Sequence, residues 1–297
     1  MKQQSNNYKI EVVNPTNTEH RTQFNLLIKE AFGFDFENWH AGGYWPKSYV
    51  PHILIINGEV VANVSVYLQE ITYHNQTKIY AQIGAVTTYQ AHRGKGYSRI
   101  LMEAVLEKYK NQTDQLFLYC HDGVTDFYKK FGFTATHETE YSLKIKNRKA
   151  LETTLRKIDL TDMTDLKLLE SKAKIGNQYA ALKMENAYEL TMFYATYFLR
   201  NDLYYLPEYD LVTVVGEKEN ILIITEILGN QGADLEDVIH TLVKDGIKQV
   251  KFGFTPKEKE KFEHNQVAQE NTNLFIFNHN EDVTVQNHCM FPVLAHT

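Results

Sequence analysis

Residues 85–102 read AVTTYQAHRGKGYSRILM. A β-branched run at 86–88 gives way to a basic turn with two glycines, and apolar residues at helical spacing follow. A strand that feeds a glycine turn and then a helix constrains a chain strongly, because it demands a sheet with that helix packed back on it. The turn also presents backbone N–H groups at the positive end of the helix dipole, which suits an anion. Gly94 and Gly96 let the backbone approach a phosphate closely, Arg93 and Lys95 add charge, and Ser98 places a small side chain in the first helical turn. Two nucleotide-binding templates fail on spacing. A P-loop needs a glycine where Tyr89 stands, and the dinucleotide pattern GxGxxG needs one where Arg99 stands.

The rest of the chain says how much structure surrounds this turn. At 297 residues two domains are the default, each able to bury its own core. Thirty-one basic against 37 acidic side chains give a net charge of -6, which argues against nucleic acid or an anionic membrane as partner and leans slightly toward a cationic substrate. Cys120 and Cys289 are the only cysteines, too few for a disulfide framework, and neither they nor His264, His279, His288 and His296 show zinc spacing. No metal is expected. The start has no apolar signal region and no run approaches the ~20 apolar residues of a membrane span, so the expected location is cytoplasmic.

Periodicity supplies the element order. Phe24, Leu27, Ile28, Ala31 and Phe32 form one helical stripe directed at a core. The segment DFENWHAGGYWPKSYVPH follows, broken by Gly42-Gly43 and two prolines, and its Trp39, Tyr44, Trp45 and Tyr49 either wall a pocket or cap the core. Asn57-Gly58 marks a hairpin, and a third strand follows the turn at His74-Asn75. After the helix that opens at residue 97 come the strand QLFLYC, a short helix around VTDFYKKFG and the strand pair FTATHETEYSLKIK. Lys144, Lys146, Arg148, Lys149, Arg156 and Lys157 interrupt the apolar rhythm and read as a solvated linker. Beyond them a strand, two helices, a hairpin around GEKEN, a third helix and a strand echo the first half, without a legible sequence repeat.

A second stretch gives the turn its meaning. Arg93-Gly-Lys-Gly96-Tyr-Ser98 after a β-branched strand, with Phe127-Tyr128-Lys-Lys-Phe-Gly132-Phe133 further on, resembles the GNAT superfamily of acyl-CoA-dependent N-acyltransferases. The resemblance is to the family's pyrophosphate loop, Arg/Gln-x-x-Gly-x-Gly/Ala, and to its Phe-Tyr-x-x-x-Gly-Phe turn. It implies an α+β fold with a mixed sheet splayed at its centre. It further implies that Val86, Thr87 and Thr88 run beside the pantetheine of acetyl-CoA, that Arg93, Gly94, Lys95, Gly96, Tyr97 and Ser98 hold the pyrophosphate, and that Tyr128 gives a proton to the departing thiolate. Ser98 departs from the usual glycine or alanine. The family's asparagine ahead of the Phe-Tyr turn falls near His121, and Gln82 stands where some relatives carry a glutamate. His121 and Asp122 are the nearest titratable candidates for a general base, with His121 taken first. Cys120 reads as a small buried thiol, since no Cys/His/Asn arrangement accompanies it.

The second half resembles a degenerate GNAT module, as in bacterial tandem proteins with a working N-terminal copy, and the expected domains are residues 1–147 and 148–297. Its loop equivalent, LGNQGADLEDVIH, has no basic residue. Asp234, Glu236 and Asp237 there cap a helix and repel a pyrophosphate, so one acetyl-CoA per chain is expected. Its role is then to complete the substrate cleft or the interface, with Tyr188, Phe193, Tyr194, Tyr204 and Tyr205 as lining or core. The expected activity is transfer of an acetyl group from acetyl-CoA to a primary amine, by direct attack in a ternary complex. The alternative is a non-catalytic acyl-CoA sensor or interaction protein. The acceptor, a small molecule or a peptide amine, and the oligomeric state, a homo-oligomer included, stay open.

Overall fold

The computed structural model describes residues 8–146, 155–268, 272–277 and 283–296. Arg148, Lys149 and His279, and the expected boundary after residue 147, lie outside that set. β1 (Tyr8–Val12) leads into α1 (Thr18–Phe32), which Asn17 opens by accepting a hydrogen bond from the His20 N–H. Phe24, Leu27 and Ile28 of its stripe are buried, but Phe32 is 45% exposed, since the helix ends there and its last ring projects past the core. The short α2 (Glu37–Ala41) precedes β2 (Tyr49–Ile56), β3 (Glu59–Tyr73) and β4 (Gln76–Thr88). Asn57 and Gly58 both take positive φ, 51° and 87°, as the hairpin turn between β2 and β3 requires. α3 (Tyr97–Tyr109), β5 (Gln115–Cys120), α4 (Thr125–Lys129), β6 (Phe133–Ala135) and β7 (Thr139–Lys144) complete the first half.

The second half comprises β8 (Arg156–Lys157), α5 (Met163–Ile175), β9 (Lys183–Glu185), α6 (Tyr188–Tyr197), β10 (Leu203–Leu206), β11 (Leu211–Lys218) and β12 (Ile221–Leu228). α7 (Leu235–Leu242), β13 (Gln249–Phe252), β14 (Glu263–Gln266), β15 (Asn273–Phe277) and α8 (Val283–Gln286) follow. Sequence periodicity missed β1, β9, β10, β14 and β15, which are short or lack alternation.

Two mixed sheets result: the first takes β15 and β9 from the second half, and the second takes β7 from the first. The first runs β1-β2-β3-β4-β5-β15-β6, with β9 pairing the far end of β3. The second runs β14-β7-β13-β12-β11-β10-β8. The pairing pattern is the same in both: three antiparallel contacts, one parallel contact (β4 with β5, β12 with β13), then two antiparallel ones. β15 sits beside β5, and β7 sits beside β13. The expected pairing of β6 with β7 is therefore corrected, because these neighbours in sequence belong to different sheets. Three residues join them, and the chain crosses between sheets instead of turning back.

Apolar faces fix the layers. Leu101, Met102 and Val105 of α3 pack on Leu54, Val64, Leu116 and Leu118, covering one face of the first sheet. Between the two halves Phe24, Ile28, Trp39 and Tyr49 meet Leu169, Leu190, Phe193, Val212 and Leu228 in one continuous core. Each fully buried side chain of this size contributes about 1.5–3 kcal/mol. Val238, Ile239 and Leu242 of α7 cover the second sheet with Ile224, Val250 and Phe252.

Candidate active site

β4 and β5 pair in parallel through Tyr80–Ile83 and Gln115–Leu118 only. Beyond that point the end of β5, Tyr119 and Cys120, is held by Leu274 and Asn273 of β15 on its far side. β4 meanwhile bends away at a bulge. Ser65 opposes Gly84 and Asn63 opposes Thr87, so Ala85 and Val86 together face the single residue Val64. Ala85 adopts φ 47°, unusual for a residue with a side chain. A buried polar chain holds it there: Asn63 Nδ2 donates to the Ala85 carbonyl at 2.8 Å and to Ser65 Oγ at 3.0 Å, and the Tyr49 hydroxyl donates to that same Oγ at 3.0 Å. The sheet thus opens into a V beside Val86, Thr87 and Thr88, whose extended backbone can pair with an amide-bearing chain laid alongside.

The V leads to the glycine turn. Gly94 and Gly96 have φ of 76° and 84°, and Gly96 is the N-cap of α3. The first N–H groups of α3 have no carbonyl one turn back and point out of the helix end. Ser98 Oγ lies 2.7 Å from Thr88 Oγ1, which pins the helix start to the strand and folds the serine hydroxyl out of the cradle. Arg93 Nε donates to the Thr88 carbonyl at 3.1 Å, and Lys95 Nζ to the Ala91 carbonyl at 3.2 Å. Both cations are held beside the cradle, with Tyr97 as its first helical residue.

Tyr128 lies on α4, buried among the side chains under α3. Burial, then the neighbouring Cys120 thiol, pushes its phenol well above the ordinary range, so it keeps its proton. Cys120 is itself pushed up to about 11 by burial and then by Asp122, against Lys129, and stays a thiol. His121 is exposed at the end of β5, before a short helical turn at Asp122–Val124. Asp122 Oδ1 accepts from Asn273 Nδ2 at 2.6 Å and so ties this corner to β15.

A cavity of about 400 Å³ adjoins the bulge, with Gly84 and Ala85 in its wall. Phe34, Phe36, Trp39, Tyr49, Phe193 and Tyr194 supply much of the remainder. Phe32 and Phe198, 45% and 53% exposed, also line it. The structure therefore brings Trp39 to the cavity but not Tyr44 or Trp45. The Tyr44 hydroxyl donates to Glu170 Oε1 at 2.7 Å on α5, and Trp45 packs behind Trp39 with ring centroids 5.8 Å apart. Of the second-half aromatics, Phe193 and Tyr194 line the cavity, whereas Tyr188, Tyr204 and Tyr205 do not. The spacing of Phe32, Phe34 and Phe36 at every second position is the one local sequence signal of this wall. The polar atoms of the wall are engaged: Trp39 Nε1 donates to the Glu189 carbonyl at 2.7 Å and the Tyr194 hydroxyl to the His296 carbonyl. The His296 ring rests on Tyr119, centroids 3.9 Å apart, and Gln69 Nε2 donates to the Ala295 carbonyl at 2.8 Å. Gln82 is fully buried two residues before Gly84 and accepts from Gln69 at 3.1 Å.

The second sheet has the same bulge with a different filling. Val214 opposes Glu226 and Val215 opposes Ile224, which leaves Thr225 as the extra residue of β12. Where the first sheet opens, here the chain itself occupies the slot. Asn177 bridges Gly229, the Ala181 N–H donates to the Thr255 carbonyl at 2.7 Å, and the Lys257 N–H donates to the Tyr179 carbonyl at 2.9 Å. Gly253 permits the closure, because a Cβ there would stand 2.8 Å from the Thr225 carbonyl oxygen. Asn177 Nδ2 donates to the buried Glu226 carboxyl, which burial pushes up to about 7 against that bond and the Ile227 N–H. Asp234 occupies the N-cap of α7 but makes no side-chain capping hydrogen bond, a correction to the expected cap. Among the described residues no group of His, Cys, Asp and Glu is placed to hold a metal ion, and no helix is long and apolar enough to cross a membrane.

Comparison with known proteins locates these features. Residues 12–136 match the family model of the acetyltransferase (GNAT) domain, ending where the chain leaves the first sheet. No curated protein matches the sequence. Among solved structures, a protein of Enterococcus faecalis named a probable N-acyltransferase is 14% identical, with 91% of this chain and 71% of that one covered at a TM-score of 0.56. Eis1 of Mycobacterium abscessus is 13% identical, with coverages of 90% and 72% and a TM-score of 0.57. A GCN5-related N-acetyltransferase of Kribbella flavida is 17% identical, with coverages of 90% and 71% and a TM-score of 0.51. At these identities the likeness is one of fold, and it spans both sheets.

Proposed function

Because residues 12–136 match the acetyltransferase (GNAT) domain model, we propose that the chain is an acyltransferase that moves an acetyl group from acetyl-CoA to a primary amine by direct attack in a ternary complex. The observation that carries the reading is the V between β4 and β5, which joins a free strand edge, a glycine cradle and an apolar cavity at one bulge. Pantetheine would lie along Val86–Thr88 and the pyrophosphate in the cradle of residues 93–98. Residues 1–147 and 148–297 act as two modules in this reading, the first catalytic and the second closing the cavity through α6.

In the reaction the amine nitrogen bonds to the thioester carbonyl carbon, and the carbon–sulfur bond breaks. Tyr128 gives its proton to the departing thiolate, a role that its retained proton and its place beside β5 suit. The proton lost by the amine passes to His121 through water, since that ring is exposed at the end of β5 rather than in the cavity wall. Tyr128→Phe is expected to lower kcat by roughly 100-fold, the usual scale for a lost general acid, while acetyl-CoA affinity changes less than about twofold. Stopped thiol release and calorimetric titration read the two quantities. Absence of acetyl-CoA binding at high micromolar concentration would overturn the proposal.

A further inference from the structure

The cavity beside the bulge is unlike a site for a polycation. Among the described residues no Asp, Glu, Lys, Arg or His lines it, and its tyrosine and tryptophan polar groups are committed to protein acceptors. An ammonium-rich acceptor would have to shed its hydration there without a countercharge, a cost of several kcal/mol. The walls are instead flat faces: Phe36 and Phe193 pack on each other and each on Phe34 and Trp39, with centroids within 5.8 Å in tilted or edge-on pairs. The lip is apolar too, with Phe32 and Phe198 both exposed at it. At about 400 Å³ the space suits a small ligand, near the lower end of the range of about 300–1,000 Å³ for binding pockets.

We propose that this cavity holds the acceptor, and that the acceptor is a primary amine on an apolar, ring-bearing body with its nitrogen at Gly84 and Ala85. The inference rests on the acyl transfer proposed above and names its substrate class. It also eases the chemistry, because an apolar site favours the neutral amine over the ammonium and so leaves less for a general base to do. The slight lean toward cationic acceptors drawn from net charge gives way to the local surface.

The test uses the full chain and two readouts. Trp39 and Trp45 are the only tryptophans, one in the cavity wall and one stacked behind it, so intrinsic fluorescence reports this site without any turnover. Titration with 2-phenylethylamine and tryptamine analogues lacking indole emission is expected to shift that signal, and spermidine is not. In thiol release with acetyl-CoA, 2-phenylethylamine should exceed spermidine and tobramycin in kcat/KM by at least about tenfold. Phe198→Glu, at an exposed position that leaves the core intact, should cut kcat/KM for 2-phenylethylamine on the order of tenfold with acetyl-CoA affinity unchanged. Preference for spermidine or tobramycin overturns the inference while leaving acyl transfer standing. So does tighter binding of octanoyl-CoA than acetyl-CoA that Phe198→Glu abolishes, because the cavity would then hold the acyl chain. Fluorescence binding of 2-phenylethylamine with no acetyl-CoA binding by calorimetry supports the cavity's chemistry and overturns the acyl transfer instead.

Discussion

Gly96 begins α3 at φ 84°, and a Cβ there would meet nothing within 4 Å. A substitution is therefore strained by backbone conformation alone, at about 1–2 kcal/mol for a left-handed residue. Gly96→Ala should lose that much stability in urea unfolding. Gly96→Glu should lose a similar amount and in addition weaken acetyl-CoA binding by at least tenfold, because a carboxylate then faces the proposed pyrophosphate. Equal affinity in calorimetry for the glutamate variant would remove the turn from the site. The residues that set this turn lie within six positions of one another, which is why local spacing was enough to find them. Tyr128 was singled out for the same reason, through its place in DFYKKFGF. Trp39, Phe193, Tyr194 and His296 meet across separations of more than a hundred positions, and nothing in their local sequence says so.

The element that organises the site is a strand bulge, and its counterpart in the second sheet shows what happens when the slot closes. Alternation and turn residues exposed β2, β3, β4 and the β11–β12 hairpin from sequence; a bulge leaves no such mark, since it shifts register by one residue without changing composition. In the second sheet the closure buries Glu226 against Asn177. The folded protein keeps the proton of that carboxyl until about pH 7, whereas the unfolded chain releases it near 4.5. Its stabilising contribution is therefore full below pH 4.5, falls as pH rises toward 7 and stays low above. Glu226→Gln retains the accepting oxygen for Asn177 and removes the titration. It should gain on the order of 3 kcal/mol over the parent at pH 8 and little at pH 4.5, measured by urea unfolding at both values. A gain that does not change with pH would mean that the carboxyl does not titrate in this range.

On the scale of the whole molecule the two halves have one pairing pattern and trade the strand next to the parallel pair. The sequence echo between halves was visible as element order, but the trade was not, because pairing partners on different sheets leave no local trace. β15 closes β5 and β6, and a shared core joins α1 and α2 to α5 and α6. A chain of residues 1–147 alone lacks β15 and half of that core, and is expected to be insoluble or largely unfolded by circular dichroism. Co-expression with residues 148–297 should restore a soluble complex. A monomeric, cooperatively folding fragment would contradict this.

The traded strand also sets a timetable. As the ribosome delivers the chain from its amino end, β5 and β6 emerge long before the strand that lies between them, residues 273–277. Until then β5 and β6 each have a bare edge near Tyr128, and a neighbouring nascent chain offers the same missing strand. Synthesis on crowded polysomes therefore risks pairing between chains. The V between β4 and β5 can be finished only after residues 273–277 have been made.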